Sequence, residues 1–127
     1  MTLGEVEVPG APTPGGPYSP ALTVGDLVFV SGQRPVSAAT GQIPASFEEQ
    51  ATLVLENLIR VLSAAGSGPE LVAKVSVHLA DLGNFENFNG IYKQFFSPPF
   101  PARTTVGSTL RGIQVEIDCI AVRRFEG

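Results

Sequence analysis

The stretch "FPARTTV", residues 100–106, places one of only eight basic residues in a distinctive setting. Pro101 sets a bend, while Thr104, Thr105 and Val106 are strand formers, so Arg103 falls where a loop becomes a strand. A planar guanidinium there can grip a carboxylate through two parallel hydrogen bonds. By spacing alone, a solvated strand-edge arginine is the simpler reading. The second group is Glu116, in "VEIDCIAV" at 115–122. Alternation puts Val115, Ile117, Cys119 and Ala121 on one face, and Glu116, Asp118, Ile120 and Val122 on the other. A face that mixes two carboxylates with Ile and Val is no plain solvent face. It predicts a subunit contact, with the carboxylates at its wetter end. Asp118 reads as an edge carboxylate that discourages strand pairing, and Glu116 as a group able to hold and deprotonate a water.

Other candidates are weaker. Tyr18, in a Pro-rich loop, can hydrogen-bond a ligand or water, or serve as a packing lid. Asn89 can brace a site or be a helix-surface amide. Cys119 is the only cysteine, lies on the apolar face and has no evident base, so it reads as a core residue. His78 is the only histidine, so any Ser-His-Asp or Cys-His arrangement would need it, and zinc sites require more ligands than these two residues supply. No intramolecular disulfide and no cysteine-rich metal site is expected.

The elements that must position these groups follow from periodicity. "GEVEV" reads as a first strand, ended by the loop "PGAPTPGGPYSP". "DLVFVSG" is a buried strand closing on Gly32, and "GQRPVSAATGQIP" a turn-rich hairpin region. Ser46 and Glu49 form a capping box before Ala51, Val54, Leu55, Leu58, Leu62 and Ala65 at helical spacing, with Gly66 as the C′ residue. "KVSVHLA" alternates as a strand. Asn84 is the expected N-cap of a second helix, whose Phe85, Phe88, Tyr92, Phe95 and Phe96 form an aromatic stripe, with Phe88, Tyr92 and Phe95 read as core, and Pro98 and Pro99 stop it. "PARTTV" and "IQVEIDCIAVRR" give two more strands. The order is β-β-β-α-β-α-β-β, an α+β layer of two helices on one sheet face.

A length of 127 residues suits a single domain, 1–127. With 43% apolar and only 16% charged residues, some apolar surface is expected in an interface, which favours an oligomer. The net charge of −4 and the absence of a basic block make nucleic acid a poor partner. The N-terminus has no signal-peptide pattern and no apolar run spans a membrane, so a cytoplasmic protein is expected.

"GPYSPA", "VFVSGQRP" and "FPARTTV…VEIDCIAV", with "VLENLIRVLSAAG" and "NFNGIYKQFF" between them, resemble the RidA (YjgF) family of reactive-intermediate deaminases from about Gly16 to Arg124. The resemblance implies a chorismate-mutase-like fold and a homotrimer with sites in clefts between subunits. It also implies hydrolysis of enamines and imines of the 2-aminoacrylate/2-iminopropionate type to 2-keto acids and ammonia, without metal or cofactor. Carried over by residue, it implies Arg103 as carboxylate clamp, Glu116 as water-holding base and Tyr18 as a catalytic-site tyrosine. Gly32 would line the site with its backbone, and the Thr105 N–H would meet the substrate carboxylate. One departure is "VGSTLRGIQVE", shorter than the family's stretch and lacking its Leu-Pro pair, which bears on substrate range. The rival functions are a ligand-binding or regulatory member with little turnover, and an endoribonuclease or translation inhibitor, for which so acidic a chain offers a poor surface.

Overall fold

The computed structural model of the chain describes residues 2–124. Strands β1 (Leu3–Glu5), β2 (Ala21–Val24) and β3 (Leu27–Gln33) precede helix α1 (Phe47–Ala64); β4 (Val72–Leu79), helix α2 (Phe85–Tyr92), β5 (Ala102–Gly107) and β6 (Val115–Val122) follow. They form one mixed sheet in the order β1-β2-β3-β6-β4-β5, in which only the β4–β5 pair is parallel. This is the expected element order, with one difference in location. The region 34–46 holds no strand, and the additional strand is Ala21–Val24, joined to β3 by the two residues Gly25-Asp26. Gly25 has φ +58, the conformation that a tight hairpin turn with glycine in first place requires.

Alternation decides which face is covered. Val28, Val30, Val75, Val77, Leu79, Val115, Ile117, Cys119 and Ala121 point to one side and are buried. α1 packs there against β3 and β6 through Ala51, Val54, Leu55, Leu58 and Leu62, and α2 packs beside α1 with Phe88 fully buried. The described residues leave the other face uncovered. Its apolar end holds Leu27 and Phe29, each 41% exposed, beside their register partners Val122 and Ile120. Its polar end holds Ser76, His78, Asp118 and Glu116. The mixed face read from β6 is therefore the open face of the sheet.

The helix ends differ in detail from expectation. Ser46 Oγ accepts from the Glu49 backbone N–H at 3.1 Å, but the return contact is Ser46 Oγ–H donating to Glu49 Oε1 at 3.0 Å, so the box closes through side chains. Asn84 makes no side-chain cap. A 3-10 turn precedes α2, and Asp81 caps it by accepting from the Gly83 N–H at 2.8 Å.

Candidate active site

Register separates the two principal candidates. Arg103 pairs with Val75, on the helix-covered face, whereas Glu116 pairs with His78, on the open face. Paired residues point to the same side of a sheet, so the two groups lie on opposite faces of one chain's sheet. The six candidate residues fall into two sets.

The first set surrounds Arg103. β5 is an edge strand, and its guanidinium reaches beneath α2. Its carbon lies 4.8 Å from the Tyr92 ring centre, 5.5 Å from Phe85 and 5.6 Å from Phe88, and one of its N–H groups donates to Asn89 Oδ1 at 2.6 Å. These four residues stand at i, i+3, i+4 and i+7 on α2, one stripe of a helix. The aromatic stripe thus cages the arginine as well as filling core, a role that the sequence reading of Phe88 and Tyr92 as core alone missed. The 3.6-residue spacing of Asn89 with the rings was the available signal. Rings and amide fix the guanidinium without neutralising it, and among the described residues it has no carboxylate partner. Thr105 lies two residues on, its Oγ1 buried without a hydrogen-bond partner among the described residues, as is the Tyr92 hydroxyl. Burial pushes the Tyr92 phenol up to about 12, with the Arg103 charge acting in the opposite direction, so the phenol stays neutral. An edge strand also presents N–H groups with no strand partner, donors that suit a carboxylate.

The second set lines a cleft of about 640 Å³ between the Pro-rich 11–18 loop, the end of β3, α1 and the 109–113 loop. Tyr18, Gly32 and Glu116 all border it; Arg103, Asn89 and Thr105 do not. The Glu116 carboxylate lies over the β3 backbone, where a Cβ on Gly32 would stand 3.1 Å from Oε2. Tyr18 is half exposed, and its hydroxyl accepts from the Gly15 N–H at 3.2 Å, so it borders the cleft while also packing its own loop. α1 pins both walls. Buried Asn57 donates to the Arg34 and Val36 carbonyls, each at 3.0 Å, and buried Gln50 accepts from the Gln114 N–H at 2.8 Å. His78 Nδ1 is 2.8 Å from Ser108 Oγ, which ties the open face to the start of the same loop. Cys119 is buried, and burial together with the Asp118 charge pushes its thiol up to about 12, so it is a neutral core group.

The Endoribonuclease L-PSP family model matches residues 9–123. That is the family of YjgF and RidA. The chain belongs to the RidA family. RutC family protein y4sK of Sinorhizobium fredii is 45% identical over 87% of this chain and 90% of its own. Protein mmf2 of Schizosaccharomyces pombe, named as mitochondrial, is 41% identical over 84% and 88%. TdcF of Escherichia coli, provisionally named a reactive intermediate deaminase, is 39% identical over 93% and 95%. A crystal structure of Escherichia coli TdcF with bound serine superposes with a TM-score of 0.88 at 37% identity, covering 95% of this chain and 99% of that one. The six-stranded α+β layer with two helices is thus the RidA fold. Among the described residues, no helix is long and apolar enough to cross a membrane.

Proposed function

We propose that this RidA-family protein hydrolyses reactive enamines and imines of small 2-amino acids to 2-keto acids and ammonia. It would act as a homotrimer whose sites join the Arg103 set of one chain to the Glu116 set of another. The observation that carries the reading is the caged Arg103: a guanidinium fixed by three rings and a neutral amide keeps its full charge for a ligand carboxylate. The chemistry then asks little of the protein. Once the enamine has tautomerised, its imine carbon is electrophilic, and a water held by Glu116 adds to it as the carboxylate accepts a proton. That proton passes to the nitrogen to give the carbinolamine, which collapses to the keto acid as its hydroxyl proton moves through Glu116 to the departing ammonia. Atoms balance as imine plus water giving ketone plus ammonia, and orientation by Arg103 supplies most of the advantage.

TdcF with bound serine supports a small, carboxylate-bearing ligand. The endoribonuclease description of the family asks for a basic surface, and a chain of net charge −4 with eight basic residues supplies a poor one. The cytoplasm remains the expected compartment, with mmf2, named as mitochondrial, as the counterexample within the family. The deciding experiment generates 2-aminoacrylate in situ and follows ammonia release with and without the protein. Release no faster than the spontaneous rate would leave a ligand-binding role in its place.

A further inference from the structure

Three of the eight basic residues, Arg34, Arg60 and Arg111, line the cleft that Glu116 borders, and among the described residues Glu116 is the only acid in that lining. In a chain of net charge −4 this is a strong local inversion of sign. The arginines are organised. Arg60 Nη1 donates to Asn57 Oδ1 at 3.0 Å, and Asn57, only 7% exposed, gives both its amide protons to the backbone that carries Arg34. Arg34 Nη2 donates to the Arg111 carbonyl at 2.9 Å, joining the end of β3 to the 109–113 loop. These bonds use one donor nitrogen each of Arg34 and Arg60. Among the described residues none of the three arginines has a carboxylate within ion-pair distance. Gathering three cations around a single acid in a concave surface costs mutual repulsion, which a further anion relieves.

The cleft is also far larger than a three-carbon imino acid needs, and Val36 and Val61 give it an apolar wall. We propose that it recognises a second acidic group on the ligand. The preferred substrates are 2-imino acids with a distal carboxylate, met by Arg34, Arg60 and Arg111 while the 2-carboxylate goes to Arg103 of a second copy. The inference rests on the deaminase reading and narrows its substrate class.

Calorimetric titration with 2-keto acids, the products of the reaction, tests it. 2-Oxoglutarate should bind at least tenfold more tightly than 2-oxohexanoate, which has similar length and no distal charge. In Arg34→Gln/Arg60→Gln that ratio should fall towards one, and Arg34→Lys/Arg60→Lys should restore part of it, with circular dichroism showing all variants folded. Equal affinities in the parent, or a ratio unchanged in the glutamine variant, overturn the proposal. Ammonia release from the imines of glutamate and alanine, made in situ by amino acid oxidases, separates the two readings. Turnover of the alanine imine with no dicarboxylate preference removes the subsite and keeps the deaminase. Dicarboxylate preference without turnover of either imine does the reverse.

Discussion

Arg103 is held by forces that leave its charge intact, and this sets what its replacement should do. Lys keeps the charge but loses the fork, so Arg103→Lys should already be impaired and Arg103→Ala more so. Losing a charged hydrogen bond costs roughly 1.5–3 kcal/mol, or about one to two orders of magnitude in kcat/KM. The loss should be large for imino acids and small for an imine without a carboxylate. Equal losses on both would make the arginine structural. The ring cage also refines the stability expectation for an open-cleft arginine: Arg103→Ala forfeits cation–π contacts of about 0.5–2 kcal/mol, so a modest fall in Tm is expected. The Lys variant is the cleaner test. Cys119 gives a second residue-scale prediction. Its thiol is held up to about 12 in the fold and titrates near 8.5 when unfolded. Below pH 8.5 both states keep the proton and the group is silent. Above it the unfolded chain loses the proton first, so stability falls with rising pH, by up to about 1.4 kcal/mol per pH unit, until the folded thiol also titrates. Denaturant melts from pH 8 to 11 should therefore fall more steeply for the parent than for Cys119→Ala. Parallel curves would mean that the thiol is accessible to solvent.

At the scale of elements, the placing of Glu116 depends on a glycine in the neighbouring strand. Gly32→Ala puts a Cβ 3.1 Å from Oε2 and 3.2 Å from Cδ, so the carboxylate must move by a few tenths of an ångström. Misplacement of a catalytic group by about 1 Å can cost 100-fold, so a smaller shift should lower kcat by roughly tenfold. Because the change stands on the open face, stability should move by about 0.5 kcal/mol or less. An unchanged kcat in a folded Gly32→Ala protein would detach Glu116 from the chemistry. The elements themselves were largely legible in the sequence, because α1 and β6 carry long, consistent periodicities. The four-residue β2 was hidden behind prolines, although Gly25-Asp26 was its hairpin signal. Asn84 holds the N-cap position of α2 as expected but makes no side-chain bond there, because a 3-10 turn capped by Asp81 leads into the helix. Five of the six candidate site residues were nameable from the resemblance, and Asn89 only as a brace weighed against a helix-surface amide. Their division into two sets was not, since it depends on β6 lying between β3 and β4, and β5 running parallel to β4, and a single sequence shows neither pairing. The arginines of the cleft are scattered over β3's end, α1 and a loop, so nothing in their spacing announced them.

At the scale of the molecule, the opposite-face placement of Arg103 and Glu116 makes assembly part of the proposed chemistry. The open face, with Leu27, Phe29, Ile120 and Val122 at one end, is the surface on which copies would meet. Light scattering should report three chains. A sharper test uses two inactive proteins. Arg103→Ala chains lack the clamp and keep Glu116; Glu116→Gln chains lack the base and keep Arg103. Unfolded together in equal amounts and refolded, they form mixed rings in which each site takes its arginine from one chain and its glutamate from the next. Random mixing makes both contributors intact at about one site in four, so activity should recover to roughly a quarter of the parent's in closed cyclic assemblies. Refolding either variant alone should recover none. If Arg103 and Glu116 served the same site from within one chain, every site would carry a defect and mixing would restore nothing. A mixture that sediments as trimers, contains both variants by mass spectrometry and stays inactive would therefore overturn the shared site while leaving the trimer standing.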